Sequence, residues 1–156
     1  MEKNEVMKSP VPPVIKELEV PLPIDQAFEL FTKGISTWWP LHKGHSVGGK
    51  DSLACMFEEK VGGRLYETTR DGSEHLWGTI QVWEPPYRLV TTWHPGSTPE
   101  CGTRLEVSFT EGETGTRVKL HHSGWEARGT EADRFREGYE SGWEGVLAQY
   151  VHRAFS

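Results

Sequence analysis

Two segments of strict alternation frame the chain. In Thr103–Glu111, Leu105, Val107 and Phe109 share one face, and Glu106, Ser108 and Thr110 occupy the other. In Thr116–Ser123, Val118, Leu120 and His122 share a face opposite Lys119 and His121. Period-two alternation with one polar face predicts antiparallel strands that pack on one side only. Gly112–Gly115 joins them as a turn. Upstream, the same reading gives strands over Ala54–Lys60, Arg64–Thr69, Glu74–Trp83 and Arg88–His94. Gly62-Gly63, Asp71-Gly72, Pro85-Pro86 and Pro95-Gly96 separate them as turn signals. Val14–Val20 is a further strand, stopped by Pro21 and Pro23.

Two stretches change period. Ile24, Ala27, Phe28 and Phe31 follow helical spacing, so a short helix opens at Ile24, and Gly34–Trp39 adds a further turn ended by Pro40. Near the C-terminus, Phe135, Tyr139, Trp143, Val146, Leu147, Tyr150 and Ala154 form one stripe about 120° wide. Thr130 and Asp133 have capping-box spacing at its start. One long amphipathic helix is therefore expected to lie across one curved sheet. Beside its aromatic stripe run Gly138, Gly142 and Gly145. Each glycine costs about 1 kcal/mol against alanine inside a helix. Either the helix approaches its neighbours closely there, or the glycines leave space for something else.

Composition narrows the class. The chain has 156 residues and a net charge of −6, which suits one domain and argues against general nucleic-acid binding. Residues 1–13 end in Ser9-Pro10-Val11-Pro12-Pro13 and read as a flexible lead-in to a domain over 14–156. No apolar run is long enough for a transmembrane helix, and the first ten residues have no signal-peptide pattern. Cys55 and Cys101 are expected to be reduced thiols of a cytoplasmic protein. The seven tryptophans are several-fold above the usual level of about one per hundred residues. They serve either core packing or an aromatic pocket.

The order of these elements, with Gly62-Gly63, Trp77-Gly78, Trp83-Glu84-Pro85-Pro86, Thr92-Trp93, Gly115-Thr116-Arg117-Val118 and His122-Ser123-Gly124-Trp125, resembles the SRPBCC (START/Bet v 1-like) superfamily. Within it, the chain is similar to bacterial proteins with an activator-of-Hsp90-ATPase-homologue-1-like domain. The resemblance covers about residues 14–155. It implies an α+β helix-grip fold: a curved antiparallel sheet around a long C-terminal helix, with two short helices after the first strand. It also implies a cavity between sheet and helix for an apolar or aromatic small molecule. Some relatives are cyclases or dehydratases, and the eukaryotic namesake is a co-chaperone. A chaperone partner is thus suggested by the family name alone, and exposed sheet edges permit a homodimer.

Motifs for other chemistry are weak. Gly44–Asp51 nearly spells a phosphate loop, but Asp51 replaces the metal-binding hydroxyl and no helix is expected after it. His42, His45 and Cys55 fall short of a four-ligand zinc set. No nucleophile motif is present. No metal, cofactor or catalytic residue is assigned.

The candidate ligand-binding residues are Glu67, Trp77, Trp93, Phe109, Leu120, His122, Arg136, Tyr139 and Trp143. Tyr139 and Trp143 would form the helix wall, and Phe109, Leu120 and Trp93 the sheet wall. Glu67, His122 or Arg136 would orient a polar end, and a buried Glu67/His122 pair would be an acid–base candidate. Each also has a plainer reading: an exposed strand-end carboxylate for Glu67, a hydrogen-bonded core imidazole for His122, a snorkelling side chain for Arg136. Trp77 is open, because Leu76, Ile80 and Val82 would mark the core face unless a bulge at Gly78 reverses it. The Trp38-Trp39 pair is expected to cap one cavity end or to pack the short helices against the sheet, and Trp83 and Trp125 to mark strand ends and turns.

Overall fold

The computed structural model describes residues 10–156. Strands β1 (Val14–Val20), β2 (Ser52–Phe57), β3 (Arg64–Thr69), β4 (Glu74–Glu84), β5 (Arg88–Trp93), β6 (Thr103–Glu111) and β7 (Thr116–Ser123) form one antiparallel sheet. Its order is β1-β7-β6-β5-β4-β3-β2. Helix α1 (Ile24–Thr32) and a 3₁₀ turn at Ile35–Thr37 follow β1, and α2 (Ala132–Ala154) closes the chain. This is the helix-grip fold. The hairpins from β2 to β7 are sequential because short glycine- and proline-bearing turns bring consecutive strands together.

Burial follows the alternation. Leu105, Val107, Phe109, Val118, Leu120 and His122 are all buried on the concave face. The edge pairing of β1 with β7 puts Val14 beside His122 and Val20 beside Thr116. The wet face carries Arg88 and Arg104 against the half-buried Glu106.

β4 departs from simple alternation. Leu65 pairs with Gly78 and Tyr66 with Leu76, so Trp77 is the extra residue of a bulge. A second register shift lies between Ile80 and Val82. Ile80 therefore faces inward and Trp77 is fully buried, so the bulge alternative holds and Leu76 and Val82, both only half-buried, do not share one core face with Ile80. Gly78 is needed at the bend: a Cβ there would lie 1.8 Å from the Thr92 carbonyl oxygen. Two bulges in one strand increase its twist and curl the sheet.

α2 lies across the concave face. Val146, Leu147 and Tyr150 are buried, and the Tyr150 hydroxyl donates to the Ala27 carbonyl at 2.8 Å. That bond ties α2 to α1. Phe28 and Phe31 of α1 pack edge-on against Phe109, with ring centroids 5.2 and 5.9 Å away. The expected capping box is absent: α2 starts at Ala132, after a 3₁₀ stretch at Trp125–Glu131, and no side chain caps it. Of the expected lead-in, residues 1–9 lie outside the described residues.

Candidate functional site

A cavity of about 450 Å³ opens between the sheet and the first half of α2. Four tryptophans line it. Trp77 comes from β4, Trp93 from β5, Trp143 from α2, and Trp39 from the segment after the 3₁₀ turn. Trp39 touches the other three, with ring centroids 5.3, 5.8 and 5.8 Å from Trp77, Trp93 and Trp143. Phe135, Tyr139 and Val146 complete the helix wall, and residues 44–47 and 95–96 form the rim.

The glycines of α2 have a use here. Gly138 and Gly142 line the cavity. A Cβ at Gly138 or Gly145 would meet nothing within 4 Å, and one at Gly142 would reach only His45 Cε1, at 3.9 Å. Close helix packing is therefore not their reason. At Gly138 and Gly142 the missing side chains leave open volume beside Trp143 and Tyr139.

The rim loop is held from below. The Glu67 carboxylate accepts from the backbone N–H groups of Val47 and Gly48 at 2.7 and 2.9 Å. It also accepts from Ser52 Oγ at 2.9 Å and Trp77 Nε1 at 2.7 Å. Burial would raise its pKa, but these donors outweigh burial and hold the carboxyl below its ordinary range. A Cβ at Gly48 would lie 2.5 Å from Thr69 Cγ2 and 3.2 Å from the same carboxylate. The loop can close on Glu67 only with glycine there. Its N–H groups at Val47 and Gly48 are thus occupied, and Gly49–Asp51 is one 3₁₀ turn leading into β2. No phosphate cradle remains.

His122 sits behind the cavity. An indole nitrogen can only donate, so Trp143 Nε1, 3.0 Å away, fixes His122 Nδ1 as acceptor. The imidazole proton is then on Nε2 and goes to Thr103 Oγ1 at 2.7 Å. Thr103 in turn donates to the Trp93 carbonyl at 3.1 Å. Burial pushes the His122 pKa down to about 3, so the ring is neutral. Trp125 stacks on it with centroids 4.3 Å apart.

Of the nine sequence candidates, Trp77, Trp93, Tyr139 and Trp143 line the cavity. Glu67 and His122 lie one layer behind it with their hydrogen-bonding capacity used, which leaves no acid–base pair facing a ligand. Phe109 and Leu120 are core residues away from the cavity lining. Phe109 is covered by α1. Arg136 points the other way: its Nε and Nη2 donate to the Pro12 and Pro13 carbonyls at 3.1 and 3.0 Å. Phe135 and His45 also line the cavity without having been candidates, and of the Trp38-Trp39 pair only Trp39 reaches it. Trp38 packs at 5.2 and 5.1 Å from Phe31 and Tyr150, while its neighbour Trp39 turns to the cavity. No local period distinguishes the two. Trp83 packs edge-on against Phe28 at 5.3 Å.

Among the described residues no group of three or more His, Cys, Asp or Glu could hold a metal. His42 instead bonds the Ser52 carbonyl at 2.7 Å. No helix is long and apolar enough to cross a membrane.

Comparison with known proteins gives the same architecture. An anthrahydroquino-γ-pyrone synthase, Txn09, is 34% identical, with 94% of this chain and 99% of that one covered and a TM-score of 0.64. The Aha1 dimer from Colwellia psychrerythraea is 16% identical, covering 90% and 94% at a TM-score of 0.64. An AHSA1-like protein from Aeromonas hydrophila is 20% identical, covering 90% of each chain at 0.61. The last two show the fold alone. A search of the curated proteins found no match. The family model described as activator of Hsp90 ATPase homolog 1-like protein matches residues 21–152. With that span and the helix-grip sheet, the chain belongs to the AHSA1-like family of the SRPBCC superfamily.

Proposed function

We propose that this protein binds a planar aromatic small molecule in the tryptophan-lined cavity. The observation that carries the reading is the convergence of Trp39, Trp77, Trp93 and Trp143 on open volume that Gly138 and Gly142 leave clear. About 450 Å³ falls in the range of small-molecule sites. Each ring contact adds about 0.5–1.5 kcal/mol beyond the area it buries. The two thiols, Cys55 and Cys101, are free, which supports a reducing, cytoplasmic setting.

The test is quenching of tryptophan fluorescence by planar tricyclic aromatics, with native mass spectrometry of the freshly purified protein. Saturable quenching at micromolar ligand is expected. No saturation with any such probe would overturn the reading.

A ring-forming activity is the second reading, favoured by the 34% identity to Txn09 across nearly both chains. His45 lines the cavity and burial lowers its pKa, so it is a neutral imidazole able to accept a proton at pH 7. A ligand extracted from the protein and converted on re-incubation by the parent, but not by His45→Ala, would support it. Equal conversion by both removes His45. The dimer named for the Colwellia protein is the precedent for self-association, which sedimentation velocity decides. A chaperone contact rests on the family name, and a pull-down with bacterial Hsp90 tests it.

A further inference from the structure

Among the tryptophans and the tyrosine that line the cavity, one proton donor is left unspent. Trp93 Nε1 donates to Tyr139 Oη at 3.0 Å. Since an indole nitrogen cannot accept, the tyrosine oxygen is the acceptor, and its own hydrogen must point elsewhere. Among the described residues the Tyr139 hydroxyl has no acceptor. Trp143 Nε1 is spent on His122, and Trp39 Nε1 on the His45 carbonyl at 2.8 Å. Trp77 Nε1 is spent on Glu67. All four cavity indoles are thus tied to protein acceptors, while Tyr139, on the same wall, is not.

The tyrosine ring cannot readily turn away. It lies against His122 at 5.0 Å and Trp125 at 5.7 Å between centroids, and those rings are fully buried. Burial also raises the Tyr139 pKa, which keeps the phenol protonated.

The geometry points to Tyr139 as the hydrogen-bond donor that selects ligands carrying a carbonyl oxygen on the planar ring system. This deepens the small-molecule reading above and rests on it. A ketone oxygen placed near Oη would take the free proton. A hydrocarbon of the same shape would cover the half-buried phenol without offering it an acceptor. Losing one partner of a buried hydrogen bond is discriminated far better than a change in apolar size.

The experiment compares 9-fluorenone with fluorene, two planar tricyclic probes that differ by a carbonyl against a methylene. Binding is read by tryptophan quenching in the parent and in Tyr139→Phe. The parent is expected to prefer fluorenone about tenfold. Tyr139→Phe should lose that preference with fluorene affinity little changed. The infrared carbonyl stretch of bound fluorenone should lie lower in the parent than in the variant. Loss of the Trp93 partner would weaken both probes alike, so it cannot imitate this result. Equal affinity of the parent for both probes, or a preference that survives in Tyr139→Phe, overturns the role of Tyr139 and leaves the cavity reading standing. If neither probe binds the parent, both readings fail.

Discussion

The Trp77 indole N–H donates to Glu67 Oε1 at 2.7 Å, with both side chains fully buried. One member lines the cavity floor, and the other clamps the rim loop through Val47 and Gly48. Floor and rim are therefore joined through a single carboxylate. Glu67→Gln replaces an acceptor oxygen by a donor amide and leaves buried N–H groups facing it. We predict a loss of about 2–3 kcal/mol in urea unfolding, since orphaned buried donors cost about 1–3 kcal/mol each. The Val47 and Gly48 amides should exchange hydrogen faster in the variant. Parent-like stability and exchange would show that the clamp does not hold the loop.

The same carboxylate predicts an acid dependence. Its folded pKa is depressed below an unfolded value of about 4.3. As pH falls, the unfolded chain therefore takes up this proton first. The stability from Glu67 is complete at neutral pH and is lost as pH falls through the folded value. Between about pH 5 and 3 the parent should lose more stability than Glu67→Gln, which has no proton to gain there. Parallel pH profiles would contradict the depressed pKa.

The α2 glycines separate packing from volume. Alanine at Gly138 or Gly145 would meet no neighbour. Each replacement should raise stability by about 0.5–1 kcal/mol through helix propensity. Gly142→Leu should instead fill the cavity and weaken binding of a planar aromatic about tenfold, or ~1.4 kcal/mol, without loss of fold. A drop in stability for the alanine variants in thermal unfolding would restore the close-packing explanation.

Arg136 is predicted to matter for the N-terminal edge and not for ligand. Arg136→Ala removes its bonds to Pro12 and Pro13 and should cost about 1 kcal/mol. Calorimetric affinity for the aromatic probe should stay unchanged. A tenfold affinity loss would return Arg136 to the site.

Burial pushes the Cys55 thiol up to about 12, whereas Cys101 is partly exposed. The thiolate is the reactive form. In the native protein at pH 8, a disulfide reagent should therefore modify Cys101 and leave Cys55 untouched. Unfolding in urea should release the second thiol. Rapid reaction of both in the native state would put Cys55 nearer solvent.

Much of the architecture was legible from local pattern. The spans Val14–Val20, Arg64–Thr69, Thr103–Glu111 and Thr116–Ser123 match β1, β3, β6 and β7 residue for residue. Those segments alternate or end at proline and glycine, so their neighbours in sequence define them. The site was legible only in part. Tyr139 and Trp143 stood out because helical spacing put both on one stripe. Phe109 and Leu120 share an inward face with cavity residues but lie away from the lining. A strand period reports the face and not the position along the groove.

The amino-acid sequence alone determined the strand-and-helix order, the inward faces of β6 and β7 and the aromatic stripe of α2. These follow from periods of two and 3.6 residues and from local turn chemistry. Only the tertiary structure decided that Trp77 turns inward on a bulge, that Trp39 faces the cavity while Trp38 does not, and that Gly138 and Gly142 border open space. It also decided that Glu67 and His122 are spent on protein donors and acceptors. The polar groups depend on partners distant in sequence: Val47 for Glu67 and Trp143 for His122, as Trp93 is for Tyr139. A buried polar group is defined by what folding brings to it, and no local pattern carries that information.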